Sequence, residues 1–182
     1  ILQPEEYKEI YNRELLAMVT RRAEKVKSGD LSVEEVTMKN AVPFLEELRK
    51  RGVTLYLASG TDEEDVRRET ELLGYAELFT GGIFGAVGDI TVEPKKVVME
   101  RILGDLGQKG LQSLVTFGDG PVEIRETKKQ GGKAVGVASD EIKRSGLNGA
   151  RRKRLILSGA DLIIPDFSDM VEMLDLLFKE QP

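Results

Sequence analysis

The chain has 182 residues, enough for one domain with a buried core or for one domain that carries a small insertion. Its 27 Lys and Arg residues stand against 32 Asp and Glu residues, and the net charge of −5 argues against general binding to nucleic acid. Cysteine and histidine are absent, which excludes a disulfide framework, a thiolate nucleophile and a histidine general base. Catalysis would depend on carboxylates, hydroxyls, lysine, backbone amides or a metal that binds oxygen.

The start of the chain bears on location and completeness. No apolar run approaches the length of a membrane span and no signal peptide opens the sequence, so we expect a cytoplasmic protein without a membrane contact. The sequence begins at Ile1 without an initiator methionine and enters a helical pattern almost at once. We expect that a structured piece upstream is missing; a trimmed terminus is the alternative.

The first part of the chain is predicted to be helical and to stand apart from the rest. Its predicted elements are a charged amphipathic helix at about 4–27, a short capped turn at 32–35 and a helix at 43–51. We predict a partial helical cap at residues 1–40 and a core at residues 41–182.

From Val53 onward, predicted strands alternate with predicted helices. The strands lie at 53–58, around 83–84 within the glycine-rich stretch 81–90, and at 114–117, 134–138 and 161–164. The helices lie at about 62–73, 94–106, 122–129, 151–157 and 168–178. Because these strands are continuous apolar runs, they indicate a parallel sheet covered on both faces. We expect an α/β fold with a doubly wound, mainly parallel sheet.

The loops that follow the strands are the places to look for a site, because open parallel sheets bind ligands at the carboxyl ends of their strands. After the strand that ends at Ala58, Ser59 offers a hydroxyl and Gly60 lets the backbone turn, so that amides at the next helix start are able to hold an anion such as phosphate. A capping box between Thr61 and Glu64, which needs no ligand, is the alternative.

Two lysines, Lys95 and Lys96, follow Pro94 at the start of a predicted helix. The positive end of a helix dipole favours acids, so a lysine in this position suggests a negatively charged partner. Lys95 is our candidate and Lys96 is the alternative. Solvated surface lysines are the interpretation that involves no site.

Two acids, Asp119 and Glu123, follow the strand predicted at 114–117 and stand one helical turn apart. Their repulsion would be relieved by Mg²⁺, which accepts one or two carboxylates and keeps its other positions for water and phosphate. Without a metal, Asp119 would cap the helix and Glu123 would be a favourable first-turn acid. A dinucleotide site is not favoured, because Glu123 stands where the G-x-G-x-x-G pattern has its third glycine.

A basic run, Lys143-Arg144 together with residues 151–154, contrasts with the acidic chain. Such runs usually form a solvated helix face, which is our prediction. A site for an anionic partner is the other interpretation, and the overall acidity does not support it.

Taken in order, these loops resemble the motifs of the haloacid dehalogenase-like (HAD) hydrolases, most of which are Mg²⁺-dependent phosphatases. The stretch LYLASGT resembles the second motif, which implies phosphate binding by Ser59 with Gly60 and Thr61 beside it. The stretch EPKKVV resembles the third motif, which implies that Lys95 neutralises the phosphate and the nucleophile.

The stretch FGDGPVEI resembles the fourth motif, with Asp119 as a Mg²⁺ ligand and Glu123 in the place of the second acid. The resemblance extends from about Pro43 to the end of the chain and implies a Rossmann-like core. The helices before Pro43 resemble the cap that such proteins insert after their first motif.

The first motif of this family, D-x-D after the first core strand, has no match in the sequence. It supplies the nucleophilic aspartate and the general acid/base, whereas Asp89 and Asp161 are solitary. In the family, that strand lies in the middle of the sheet, between the strands that we predict at 53–58 and 114–117. The resemblance therefore implies a core that lacks its first strand and a chain that is inactive by itself. The alternatives are that another segment of the chain takes the place of that strand or that the domain rearranges.

We expect a Mg²⁺-dependent phosphomonoester hydrolase that acts through an aspartyl-phosphate, with this chain as an N-terminally truncated form. The resemblance implies a small phosphorylated substrate chosen by the cap. A non-catalytic HAD-like module that binds a phosphorylated ligand or a partner protein is the alternative. A receiver-type phosphoacceptor domain is not favoured, because here the hydroxyl and the lysine precede the acids.

Overall fold

The structure is a computed structural model that describes residues 3–88 and 93–178. Its helices are α1 (Pro4–Ser28), α2 (Val33–Val36), α3 (Ala41–Lys50), α4 (Glu63–Leu72), α5 (Pro94–Gln112), α6 (Pro121–Lys129), α7 (Gly149–Leu157) and α8 (Met170–Phe178). Its strands are β1 (Tyr56–Asp62), β2 (Gly82–Ala86), β3 (Val115–Gly118), β4 (Lys133–Val137) and β5 (Leu162–Ile164). Asp89, one of the two solitary acids of the sequence, lies outside the described residues.

The order and type of these elements confirm the predicted α/β pattern, with one informative shift in the first strand. This strand was predicted to end at Ala58, but β1 continues to Asp62. Its register against β2 shifts between Ala58 and Asp62, so Ser59 and Gly60 lie in an irregular part of a strand rather than in a free loop. The pattern Ser59-Gly60 predicted a turn, but such residues are also found where a strand is irregular.

The strands form two separate parallel sheets within the described residues. β1 pairs with β2, while β3, β4 and β5 form a three-stranded sheet in that order. Helices cover both faces of the larger sheet. Val135 and Val137 of β4 pack on the side of α3 and α8. Ala134, which precedes Val135 and faces the other side of the pleat, packs with Ile124 of α6 and Leu155 of α7. The architecture is therefore doubly wound, as the continuous apolar strands predict.

A cavity of about 850 Å³ separates the two sheets, and we call it the interstrand groove. Its walls are residues 53–58 beside and along β1, residues 114–117 beside and along β3, apolar side chains of α5 on one face, and apolar side chains of α3 and α8 on the other. This is the position at which the resemblance places a further strand.

Three phenylalanines join the larger sheet to the helix that precedes β1. Phe44 of α3 stacks on Phe167 with ring centroids 5.1 Å apart and meets Phe117 of β3 edge-on at 5.3 Å. Phe44 is almost fully buried in a cluster that also holds Leu55 and Ile164. Aromatic contacts of this kind contribute about 0.5–1.5 kcal/mol beyond their buried area, so α3 packs as part of the core.

The long first helix lies at the periphery. α1 packs against α4 and buries Ala23, while Tyr7 and Tyr11 are exposed. In the part of the chain that the structure describes, none of the helices is both long and apolar enough to cross a membrane.

Candidate active site

The carboxyl end of β1 carries the first predicted site residues. The backbone N–H of Thr61 donates to Oγ of Ser59 at 3.1 Å, which turns the Ser59 hydroxyl toward its own chain. The alternative capping box between Thr61 and Glu64 is not formed: Asp62 is the N-cap of α4, and its side chain makes no capping hydrogen bond. Ser59, Gly60 and Thr61 therefore take no part in capping α4.

Lys95, in the first turn of α5, brings three segments together. Its Nζ donates to Oε1 of Glu123 at 2.8 Å and lies 3.9 Å from Oδ1 of Asp119. On its other side, a Cβ added to Gly60 would lie 3.6 Å from Cβ of Lys95. Nζ of Lys96 instead lies 4.0 Å from Oε1 of Glu100, farther along α5. Of the two lysines, the structure therefore places Lys95 at the rim formed by the strand ends.

Glu123 is the most deeply buried carboxylate of this group, with 3% of its side chain exposed. Besides Lys95, the backbone N–H of Gly120 donates to its Oε1 at 2.8 Å, so the Glu123 side chain caps the first turn of α6. Gly118 lies so close that a Cβ there would be 2.6 Å from the same oxygen. The other carboxylate oxygen of Glu123, Oε2, is buried and has no hydrogen-bond partner among the described residues.

The charge of Glu123 is maintained despite its burial. Burial raises the pKa of this carboxyl, but the hydrogen bond and the positive charge of Lys95 oppose the shift. The N–H groups of Glu123 and Gly120 act in the same direction as Lys95, and together these contacts hold the pKa below its ordinary value. Glu123 is thus an anion at neutral pH and binds the ammonium group of Lys95.

Asp119 follows β3 and is the exposed member of the pair of acids, with 55% of its side chain accessible. It does not cap α6, because the N-cap is Gly120. A second cation reaches it from α7: Nη1 of Arg151 lies 3.9 Å from its Oδ2, while Arg151 also binds Glu141 at 2.6 Å. Arg154 donates to the backbone carbonyl of Asp119 at 3.3 Å.

These contacts correct one prediction from the sequence. The basic run was predicted to be a solvated helix face, and Arg152 and Lys153 are indeed exposed. Arg151 and Arg154, however, contact Asp119. The sequence could have indicated these contacts, because both arginines follow β4 and the carboxyl ends of neighbouring parallel strands lie at the same edge of the sheet.

The donor set fits a magnesium ion at Asp119. The described residues contain no group of three or more acids or other metal-binding side chains. Mg²⁺ nevertheless needs only one or two protein carboxylates when phosphate and water supply the other ligands. Asp119 is exposed and directly follows β3, which suits that role, and Oε2 of Glu123 is a second carboxylate oxygen without a hydrogen-bond donor in the described part of the chain.

The comparison with protein families decides the family of this chain. Residues 7–131, well over half of the chain, match the family model for the haloacid dehalogenase-like hydrolases. The chain belongs to this family. The motif-based resemblance of LYLASGT, EPKKVV and FGDGPVEI is thereby confirmed at the level of the family. A comparison of this HAD-like chain with curated proteins gave no match.

Solved structures share the fold. A candidate phosphatase from Clostridium difficile aligns with a TM-score of 0.62 at 20% identity, over 75% of this chain and 60% of its own. A predicted phosphoglycolate phosphatase from Haemophilus somnus aligns with a TM-score of 0.57 at 21% identity, and the alignment covers 74% of this chain and 56% of that one. A HAD family hydrolase from Deinococcus radiodurans, with bound phosphate and sodium, aligns with a TM-score of 0.55 at 17% identity. That alignment covers 76% of this chain and 58% of the hydrolase. This HAD-like chain thus spans about three-fifths of the length of these structures.

Proposed function

We propose that this chain forms the phosphate- and Mg²⁺-binding part of a phosphomonoester hydrolase that acts on a small phosphorylated substrate. One observation carries the proposal: the segment after Ala58, the acid Asp119 and the buried acid Glu123 all meet at Lys95. An ammonium group and a carboxylate at one rim, with the segment that carries the Ser59 hydroxyl next to them, suit an oxyanion paired with a divalent cation.

Ser59 and Lys95 bind the phosphoryl group in this proposal. The Ser59 oxygen already accepts from the N–H of Thr61, so its own proton remains to be donated to a phosphate oxygen. The side chain of Lys95 is 29% exposed, and its ammonium group offsets the charge that develops on the phosphoryl oxygens. The N–H group of Gly60 completes the cradle, while the N–H of Thr61, which already donates to Ser59, holds that hydroxyl in place. The phosphate bound to the Deinococcus radiodurans hydrolase supports a phosphate site on this fold.

Asp119 holds the magnesium ion, with Glu123 as the second acid. When bound, Mg²⁺ neutralises charge on the phosphoryl oxygens. Asp119 is the accessible ligand, whereas Glu123 acts first by holding Lys95, since its Oε1 already accepts from that lysine. Both roles rest on the buried, charged state of Glu123 and on the exposure of Asp119.

The nucleophile comes from outside this chain. An aspartate oxygen would bond to phosphorus while the bond to the leaving alkoxide breaks, a general acid would protonate that alkoxide, and water would then hydrolyse the aspartyl-phosphate. At the rim, the acids within 4 Å of the Lys95 ammonium among the described residues are Asp119 and Glu123, both already assigned. We therefore expect no turnover from this chain alone. Residues 1–40 contribute part of a substrate-selecting cap, and the protein acts in the cytoplasm.

Two measurements on this chain test the proposal. Titration calorimetry with tungstate, a phosphate mimic, should show Mg²⁺-dependent binding that Ser59→Ala and Lys95→Met each weaken by about tenfold, whereas Lys96→Met should not change it. Phosphate release from a phosphomonoester in the presence of Mg²⁺ should stay at background. Robust release that depends on Asp119 would show that the nucleophile lies within the chain, and tungstate binding that is insensitive to Lys95 would refute the site.

The alternative function is a non-catalytic HAD-like module that binds a phosphorylated ligand or partner. It is favoured because, among residues 3–88 and 93–178, the acids within 4 Å of the Lys95 ammonium are Asp119 and Glu123, which both already have other roles. Both functions predict tungstate binding. Only the hydrolase predicts activity once a carboxylate is supplied next to Lys95.

A further inference from the structure

The position of Asp119 depends on its main chain more than on its side chain. The two ion pairs of its carboxylate, with Nζ of Lys95 and Nη1 of Arg151, are both 3.9 Å long, which exceeds the length of a hydrogen bond. The residue lies between Gly118 and Gly120, and glycine restricts the backbone less than any other residue. Contacts to the peptide group are therefore needed to fix the place of the carboxylate.

The peptide group between Asp119 and Gly120 is bound at both of its polar atoms. Its carbonyl, which belongs to Asp119, accepts a hydrogen bond from Nη2 of Arg154 at 3.3 Å. Its N–H, which belongs to Gly120, donates to Oε1 of Glu123 at 2.8 Å. Because a peptide group is planar, two contacts at its opposite ends fix its orientation. We call these two contacts, one from α7 and one from α6, the peptide clamp.

The helix that carries Arg154 is firmly attached to the core. Leu155, the next residue, is fully buried in a cluster that also holds Ile124 of α6. The start of α7 is capped by Asn148, whose side chain accepts from the backbone N–H of Arg151 at 3.0 Å. Arg154 itself is exposed, so its replacement should leave the core intact. The clamp therefore joins an irregular connection to a rigid support.

We infer that Arg154 is a positioning residue for the cation site, because it holds the peptide group of Asp119 and thereby keeps the carboxylate beside Lys95. The inference rests on the proposed function, in which Asp119 is a Mg²⁺ ligand. Mg²⁺ demands near-ideal octahedral geometry, so a carboxylate that is free to shift binds it less tightly. Arg154 touches neither the cation nor the phosphoryl group in this role and acts through the Asp119 backbone.

The positive charge of Arg154 gives this inference a sign that an experiment is able to read. A positive group near Asp119 repels a cation, so electrostatics alone predict that removal of the charge tightens Mg²⁺ binding. Loss of the peptide clamp predicts weaker binding instead. Arg151, three residues earlier on the same face of α7, lies beside the carboxylate, where it competes with the cation. The contact of Arg154 is with the carbonyl, so the two arginines should act in opposite directions.

Titration calorimetry with Mg²⁺ alone, on the full 182-residue chain, reads this sign. Arg154→Met removes both the charge and the hydrogen-bond donors, and we expect it to bind Mg²⁺ about three- to tenfold more weakly than the unaltered chain. Arg152→Met is the matched control, because it removes the same charge from an exposed position on α7. It should bind Mg²⁺ like the unaltered chain. The urea midpoints of both variants should stay close to that of the unaltered chain, since both side chains are exposed.

Hydrogen exchange at the Gly120 amide tests the peptide clamp without any cation. In metal-free Arg154→Met, this amide should exchange at least about threefold faster than in the unaltered chain, because its peptide group is then held at one end only. Amides of β4 should exchange at an unchanged rate in the same sample. If the unaltered chain bound no Mg²⁺, the proposed function would fail, and the exchange of Gly120 would still decide the role of Arg154.

Three results would overturn the inference. The first is Mg²⁺ binding by Arg154→Met that equals or exceeds that of the unaltered chain; if tungstate binding weakened at the same time, Arg154 would be a ligand of the oxyanion instead. The second is equal exchange of the Gly120 amide in the two proteins. The third is faster exchange throughout β4 in Arg154→Met, which would show that the arginine supports the whole fold and not the place of Asp119.

Discussion

Lys95 and Glu123 form a 2.8 Å ion pair whose members differ in their access to water, with 29% of the lysine side chain exposed and 3% of the glutamate. The lysine is able to turn toward solvent if its partner is lost. The carboxylate has no such freedom, because it packs against Gly118 and caps α6. The pair is therefore asymmetric, and the cost of breaking it depends on which member is removed.

Removal of the lysine should destabilise the chain. Lys95→Met leaves Glu123 buried with only backbone donors, and we expect a loss of about 1–3 kcal/mol in the free energy of unfolding. Lys96→Met is the matched control, because the side chains of Lys96 and Glu100 are 40% and 58% exposed and solvent-exposed pairs contribute about 1 kcal/mol or less. Urea denaturation of the two variants measures the difference. Equal losses would mean that Glu123 does not depend on Lys95.

The same pair should make the stability depend on acid pH. The pKa of Glu123 is lower in the folded chain than in the unfolded chain, so its ionisation stabilises the fold above the unfolded pKa. That stabilisation is lost as the pH falls through the folded pKa. Glu123→Gln should therefore lose less stability than the unaltered chain between about pH 5 and pH 3, as urea midpoints at a series of pH values would show.

The control for this pH series is Glu100→Gln, which changes an exposed carboxylate on α5. Its stability should follow the pH dependence of the unaltered chain. Other carboxyls whose pKa is lowered, such as Asp161 beside Lys128, are present in all three proteins and cancel in the comparison. Parallel curves for Glu123→Gln and the unaltered chain would contradict the assignment of the acid-labile stability to Glu123.

The close approach of Gly118 to Glu123 gives a steric prediction. A Cβ at residue 118 would lie against Cγ of Glu123 and 2.6 Å from its Oε1, so Gly118→Ala must displace the carboxylate that holds Lys95. We expect a loss of about 1–3 kcal/mol in unfolding free energy and weaker tungstate binding. Gly104→Ala on α5 is the control: nothing lies within 4 Å of the added methyl, and helix propensity predicts a gain of about 0.5–1 kcal/mol. A neutral Gly118→Ala would show that Glu123 has room to move.

The positive charge of Arg151 should weaken cation binding at Asp119. Its Nη1 lies 3.9 Å from Oδ2 of Asp119, a separation at which two unit charges interact by about 1 kcal/mol in water. Arg151→Gln should therefore tighten Mg²⁺ binding by about fivefold in titration calorimetry at low salt. Arg152→Gln, on the exposed side of α7, should leave it unchanged. A weaker affinity in Arg151→Gln would mean that the arginine orients Asp119 instead of competing for it.

Local patterns were sufficient to predict most of the fold, and they indicated the loops of the candidate site. Continuous apolar runs gave the strands, and Pro94 and Pro121 mark the first residues of α5 and α6. The choice between Lys95 and Lys96 was not accessible, because neighbours on a helix point about 100° apart and only the packing of α5 decides which one faces the rim. The contacts of Arg151 with Asp119 depend on tertiary placement in the same way.

The division into two sheets was accessible only through the resemblance. Nothing in the runs around Leu57 or Phe117 indicates whether the two strands touch, because a buried strand has the same apolar pattern whether one or two neighbours pair with it. The structure separates them by the interstrand groove. That groove connects the fold to the proposed chemistry, because one of its ends is Lys95.

Asp119 should carry the Mg²⁺ dependence of tungstate binding. Asp119→Asn removes the charge that the proposal assigns to the cation, so added Mg²⁺ should no longer strengthen tungstate binding in titration calorimetry. Asp105→Asn, which changes an exposed acid on α5, is the control and should keep the Mg²⁺ dependence of the unaltered chain. An unchanged Mg²⁺ dependence in Asp119→Asn would refute Asp119 as the cation ligand.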